Sequence, residues 1–233
     1  MHRKSQRQPK CNDVETIVTK YLPTDDVCVI YIGANTGQEL TFFYQHFNSA
    51  TIYCFEALKN TISFLQITAS NLKLKYPGKD IETEIHNRAV CNRDGQIVLY
   101  YNPDDPAHQS ATIMPFLPHE LEKKGARAAR RRSKRPEVEI LTDAIKLDTF
   151  IKEKKINKID LLYADVEGAQ KALLLGATES LEKTDYLLLE TQELWGGPTK
   201  TQLTNMLSDH FVVEVELGAD TLFKNINLPK EDK

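Results

Sequence analysis

The chain has 233 residues, 41% hydrophobic and 27% charged, which is enough apolar material for one domain with a large core and too much for a disordered chain. Thirty Lys and Arg stand against 33 Asp and Glu, a formal charge of -3 that does not by itself point to a nucleic-acid partner. No apolar run is long enough to span a bilayer, and the basic, polar opening Met1 to Lys10 lacks the apolar core of a secretory signal, so a cytoplasmic protein is expected.

In chain order, the first ten residues read as a loose arm, followed by a short helix from about Asp13 to Leu22 that Pro23 ends. Val27 to Ile32 is a continuous, β-branched apolar run, the pattern of a strand buried on both faces. It breaks at Gly33, and beyond Gly37 the residues Leu40, Phe43, Tyr44 and Phe47 recur at helical spacing. Thr51 to Phe55 is a second strand, and Asn60 to Tyr76 a helix stopped by Pro77 and Gly78. Ile81 to Val90 reads as a third strand, and Gln96 to Tyr101 as a fourth, paired with it as a hairpin across the Asn92 to Gly95 turn.

No clean period runs from Asn102 to Pro136. Then follow a strand from Val138 to Leu141, a helix from Leu147 to Lys155, and a buried strand from Ile159 to Ala164 closed by Asp165. Ala169 to Leu175 is helical, Tyr186 to Leu189 is a strand ending at Glu190, and Thr201 to Leu207 is a helix. Two strands, Phe211 to Val215 and Thr221 to Asn225, finish the chain.

Strands alternating with helices define an α/β fold: a mostly parallel central sheet with helices on both faces and an antiparallel C-terminal edge. The expected organisation is an N-terminal arm and short helix over residues 1–26, then a single domain over 27–233 with a basic insertion at about 117–136. The cysteines Cys11, Cys28, Cys54 and Cys91 form no C-x-x-C pair, which argues against a zinc site, and their use fits a reducing compartment.

Ligands of open α/β sheets bind outside the carboxyl ends of the strands. The informative polar residues fall there: the turn Gly33-Ala34-Asn35-Thr36-Gly37, then Glu56, Asn87 and Arg88, Asp165, and Glu190. The glycine turn permits close backbone approach to a ligand; the competing reading is an ordinary turn with Thr36 as helix cap. It is neither G-x-G-x-x-G nor a P-loop, so a nicotinamide cofactor and phosphate binding are both disfavoured. An acid about twenty residues beyond such a turn, here Glu56, suits the two ribose hydroxyls of an adenosine-containing cofactor.

Together, Val29 to Gly37, Tyr53-Cys54-Phe55-Glu56, Leu147-Asp148-Thr149-Phe150 and Ile159 to Gly168 resemble the FkbM family of methyltransferases, over most of the chain from Val27 to Glu190. The resemblance implies a Rossmann-like class I methyltransferase fold that uses S-adenosylmethionine, and O-methylation of a hydroxyl, often on a sugar or glycan. By position it implies that Gly33, Ala34, Asn35, Thr36 and Gly37 line the methionine part of the cofactor. Glu56, beside Ala57, would hold the ribose, and Asn87, Arg88 and Ala89 would border the adenine. Asp165 and Glu167 match the family's Asp-x-Glu-Gly block beside the transferred methyl. The chain departs from the family at Tyr31, where Asp is usual, at Tyr163, often Lys, and at Ala57, usually Pro.

A hydroxyl nucleophile needs a base. Asp165 is the first candidate; its competing role is to cap the helix that follows. Glu190 would orient it, or the two would share a divalent cation, which two acids alone do not establish. His108 is an alternative base. Ser110, Glu167 and Trp195 are the candidate acceptor contacts, Trp195 as a stacking platform or as loop packing. The run Lys123, Lys124, Arg127, Arg130, Arg131, Arg132, Lys134 and Arg135 is either a solvated insertion or the receiver of an anionic acceptor. An RNA methyltransferase is a second reading, opposed by the absence of aromatic residues between Leu117 and Val138. A non-catalytic module on the same fold is a third, kept open by Tyr31 and Tyr163.

Overall fold

A computed structural model describes residues 11–103, 111–114, 138–193 and 197–228. At its centre is strand β1 (Val27–Ile32), which pairs in parallel with β2 (Ser49–Phe55) on one side and β7 (Ile159–Ala164) on the other. Alternate residues of β1 serve different cores. Val29 and Tyr31 pack with helices α1 (Cys11–Tyr21), α2 (Leu40–His46) and α3 (Lys59–Lys75) on one face. Ile30 and Ile32 pack on the other with α4 (Leu147–Lys154), α5 (Gln170–Leu175), α6 (Thr178–Glu182) and α7 (Lys200–Leu207). Such a strand must be apolar at every position, because each buried Val, Leu or Ile contributes roughly 1.5–3 kcal/mol.

The seven-stranded sheet runs β3-β2-β1-β7-β8-β10-β9, where β3 is Asp80–His86, β8 Thr184–Glu190, β9 Phe211–Leu217 and β10 Asp220–Asn225. The first five strands are parallel; β10 is antiparallel to β8, and β9 to β10. This is the expected Rossmann-like layout, with its antiparallel edge formed by the closing pair of strands. Val14, Ile17 and Val18 of α1 are fully buried, so the short N-terminal helix is part of the domain core.

Two expectations need correction. The stretch Ile81 to Val90 is not one strand: β3 ends at His86, and β4 (Ala89–Val90) joins a separate three-stranded sheet, β4-β6-β5. Nor does β5 (Gly95–Tyr101) form a hairpin with β3 or β4; it pairs antiparallel with β6 (Val138–Ile145). The turn before β5 explains this. Asp94 accepts from the Lys146 amide at 2.9 Å and from the Thr149 hydroxyl at 3.0 Å, and the Cys91 amide donates to the Ile145 carbonyl at 3.0 Å. The turn is tied to the β6–α4 junction, a contact far away in sequence.

The sequence reading also missed α6. Its anchor is Asp148, whose Oδ1 accepts from the Ser180 amide at 2.8 Å and from its hydroxyl at 2.7 Å, while Leu147 and Phe150 are buried on either side. Among the described residues no helix is long and apolar enough to cross a membrane.

Candidate functional site

Because β2, β1, β7 and β8 are neighbours, their carboxyl ends bring Glu56, the Gly33 turn, Asp165 and Glu190 to one edge of the sheet. The turn is built from the strand ends. The amides of Gly33 and Ala34 both donate to the Phe55 carbonyl at 2.9 Å, and the Asp165 amide donates to the Ile32 carbonyl at 3.0 Å. Gly33 has φ +78, and a Cβ there would stand 1.9 Å from the Asp165 carbonyl oxygen, so the β7 extension itself demands glycine. Gly37 is favoured by its left-handed φ of +79; a Cβ there would also press on the end of the Leu65 side chain of α3 at 2.7 Å. Thr36 is not the cap of the following helix, which begins after Glu39 at the N-cap position.

Glu56 closes the turn. Its Oε2 accepts from the Asn35 amide at 2.8 Å and its Oε1 from the Leu58 amide at 2.7 Å. Asn35 reaches that bond by adopting φ +47, an uncommon conformation for a non-glycine residue. Only 8% of Glu56 is exposed, and burial raises its carboxyl above the ordinary value against the opposing pull of the Leu58 and Asn35 amides. A carboxylate has about four acceptor positions. The Leu58, Asn35 and Ala57 amides and the Thr61 hydroxyl all act on them and fix the carboxylate beside the turn.

Asn87 sits where β3 breaks and donates through Nδ2 to the carbonyls of Glu56 at 2.9 Å and Ala57 at 3.2 Å. Thr142 of β6 also donates to the Ala57 carbonyl, at 2.9 Å. Ala57 and Ala89 share a small apolar cluster with Cys91 and Ala144, while Arg88 is exposed. The second sheet thus forms the wall next to Glu56.

On the β7 side, the carboxylates of Asp165, Glu167 and Glu190 offer oxygens that all lie within 4.8 Å of one another. Glu167 and Gly168 both have positive φ, +45 and +92, which turns the chain back over the strand ends. Thr112 holds this loop by donating to the Glu167 carbonyl at 2.7 Å, and Gln170 ties α5 to β8 by donating to the Glu190 carbonyl at 3.1 Å. Helix α5 begins after Ala169 with no side-chain cap, so Asp165 does not cap it.

Sequence reasoning missed several contacts at this edge. Tyr31 and Tyr163, paired in register on β1 and β7, are stacked with ring centroids 4.8 Å apart and 12° between planes. The Tyr31 hydroxyl donates to Glu39 Oε2. Burial, then the Glu39 carboxylate, raises both phenols well above their ordinary range. Asp220, 3% exposed, lies opposite Glu190 across the β8–β10 pair. Nothing in the spacing of Glu39, Thr112 or Asp220 marks them as inward-facing; a buried partner is the only sign. His108, Ser110, Trp195 and the basic run from Lys123 to Arg135 lie outside the described residues.

A doubly wound sheet of this strand order, with a glycine turn on β1 and acids on β2, β7 and β8, defines a Rossmann-like methyltransferase fold. The Methyltransferase FkbM domain family matches residues 32–216, and the chain belongs to that family; it is a methyltransferase. It is 25% identical over 221 residues to the 2-O-methyltransferase NoeI of Sinorhizobium fredii (strain NBRC 101917 / NGR234), covering 91% of this chain and 84% of that protein. Its fold is similar to the FkbM methyltransferase structure from Methylobacillus flagellatus KT, with TM-score 0.53 and 16% identity, covering 91% of this chain. The chain spans 47% of the length of that structure. A putative rRNA methylase from Clostridium thermocellum shares the fold, with TM-score 0.51 and 5% identity, covering 94% of this chain and 97% of that one.

Proposed function

We propose that the chain transfers a methyl group from S-adenosylmethionine to a hydroxyl of a sugar-like acceptor. The observation that carries this reading is the 2.8 Å bond from the Asn35 amide to Glu56 Oε2, which aligns a buried carboxylate beside the β1 turn. Glu56 would accept the two ribose hydroxyls, with Asn87, Arg88, Ala57 and Ala89 around the adenine and the backbone of Gly33, Ala34 and Asn35 along the methionine chain. The donor set fits the cofactor: the Glu56 carboxylate stands at one end, and the carboxylates of Asp165, Glu167 and Glu190 gather at the other, where the cationic end would lie.

The cofactor supplies an electrophilic methyl on a sulfonium, which already leaves well. The protein therefore has two tasks, to position the acceptor and to remove its proton. Asp165 is the assigned base: its carboxylate takes the hydroxyl proton as the oxygen–carbon bond forms and the sulfur–carbon bond breaks. Glu190, 2% exposed, and Glu167 are assigned to orient it and the acceptor. Gln170 and Thr112 hold the backbone of those two residues. The name of the relative NoeI supports oxygen as the methylated atom and goes no further for this chain.

The test is a panel of acceptors incubated with methyl-labelled S-adenosylmethionine and read by mass spectrometry. Label on a sugar hydroxyl is expected. Label on RNA alone, with binding that weakens steeply as salt rises, would replace this reading with the nucleic-acid one.

A further inference from the structure

Helix α3 carries apolar residues on two faces. Leu65, Ala69 and Leu72 are buried in the core it shares with β1 and β2. Phe64, Ile67 and Leu74 are 57%, 57% and 79% exposed. At about 100° per residue these three fall within roughly 80° of one another, on the side turned away from the buried face. They form a stripe about 15 Å long. Among the described residues no other helix exposes more than one large apolar side chain: Leu175 stands alone on α5 and Met206 on α7. Single exposed apolar residues are ordinary, whereas an aligned set rimmed by polar groups marks an interaction surface.

The rim of the stripe has one sign of charge. From Ala57 to Lys79 the chain carries four lysines and no aspartate or glutamate. Lys79 is tied to the Gln45 and Phe47 carbonyls at 2.8 and 2.6 Å. Lys59, Lys73 and Lys75 are exposed and have no ion-pair partner among the described residues. By contrast, Lys152 and Lys154 of α4 pair with Glu179 and Glu84, and Lys200 of α7 pairs with Glu216. Lys59 and Lys75 flank the stripe on opposite sides. The acids that follow in the chain turn away from it. Ile81 and Ile85 of β3 pack into the core under α3, so Asp80, Glu82 and Glu84 alternate to the other face of the sheet, where Glu84 meets Lys154. In a chain of net charge -3, this acid-free face is a local departure.

We propose that the outer face of α3 docks on an anionic lipid surface. Phe64, Ile67 and Leu74 enter the headgroup layer, and Lys59, Lys73 and Lys75 lie over the acidic headgroups. Charge complementarity names the occupant: lysines with no acid beside them call for an anion, and the apolar stripe between them calls for hydrocarbon. An anionic lipid surface supplies both, and the two attractions act together there. Nucleic acid would take the lysines but make no use of an aliphatic stripe. Helix α3 begins at Lys59, close behind Glu56, so docking along it keeps the Glu56 edge of the sheet beside the bilayer. The assignment is independent of the cofactor and of the acceptor.

The test is co-sedimentation of the full chain with two kinds of vesicle, one of phosphatidylcholine alone and one in which about a third of the lipid is phosphatidylglycerol. Binding to the second and not to the first, weakening as salt rises, is expected. Ile67→Ser combined with Leu74→Ser should weaken that binding about tenfold or more by removing apolar contact. Lys59→Gln combined with Lys73→Gln and Lys75→Gln should weaken it about ten- to hundredfold, and carries the test if the serine variant does not fold. The basic run from Lys123 to Arg135 is intact in both variants. Binding undiminished in either folded variant would therefore place the contact elsewhere and overturn the proposal. Equal binding to the neutral vesicles would overturn it as well. So would wild-type protein that ignores both kinds of vesicle and instead self-associates in sedimentation velocity runs through a contact that Phe64→Ser removes, which would make the occupant a second copy of the chain.

Discussion

The carbonyl oxygen of Asp165 lies 1.9 Å from the place a Cβ on Gly33 would occupy. The turn assigned to the cofactor and the residue assigned as base are therefore in backbone contact, and neither can shift without the other. The Asp165 amide donates to the Ile32 carbonyl, one residue before Gly33, and locks the same junction from the other side.

Gly33→Ala is therefore expected to be severe. The added methyl would have to displace backbone, at a left-handed φ that alanine disfavours. A loss of about 3 kcal/mol or more in unfolding free energy is expected, since each such strain costs of order 1–3 kcal/mol. Chemical denaturation checks it. A variant as stable as the parent would show that the β7 loop yields easily and that the rigid coupling is wrong.

Glu56→Gln should weaken S-adenosylmethionine by roughly ten- to hundredfold. Glutamine is not a silent isostere here. One of its two terminal atoms becomes a donor, so it cannot serve both the Asn35 and the Leu58 amides, and the remaining acceptor capacity falls. Calorimetry measures the change; undiminished affinity would detach the ribose from Glu56.

The raised Glu56 carboxyl also sets a pH dependence. The ionised form accepts ligand hydroxyls, so cofactor affinity should be full above the raised pKa and fall as pH drops through it, earlier than for an ordinary glutamate. Stability of the ligand-free chain should respond to this group in the opposite direction. Between the ordinary and the raised value the folded chain binds more protons than the unfolded one, so the contribution of Glu56 to stability declines as pH rises. Titrations across that window with wild type and Glu56→Gln isolate the effect; identical pH profiles for both would assign it to another group.

Asp165→Asn should lower turnover by about 10²- to 10⁴-fold, the usual worth of a positioned base, with cofactor affinity changed only a few-fold. Release of S-adenosylhomocysteine gives the rate. Turnover equal to wild type would remove Asp165 from proton transfer.

Asp165, Glu167 and Glu190 present oxygens within 4.8 Å of one another, a set that hard divalent cations also favour. With Asp165 as the base, turnover should persist in EDTA. Loss of activity in the chelator, restored by magnesium, would reassign the three carboxylates as ligands.

Much of this organisation was legible in the sequence. The continuous apolar run Val27 to Ile32 marks a central strand because both of its faces are buried, and that is a one-dimensional signal. That Gly33, Glu56, Asp165 and Glu190 gather at one edge of the sheet was readable because parallel strands put their carboxyl ends on one edge whatever the packing details.

What local pattern could not specify depends on contacts between distant segments. The separate β4-β6-β5 sheet follows from Asp94 binding Lys146 and Thr149, some fifty positions on. The stacking of Tyr31 on Tyr163 follows from strand neighbours 132 residues apart in the chain. The glycine turn illustrates the division: sequence alone determined that the backbone bends at Gly33 and Gly37. Only the tertiary structure decided why Gly33 admits no side chain: it yields to the Asp165 carbonyl, because van der Waals exclusion acts between atoms that are near in space and not between residues that are near in sequence.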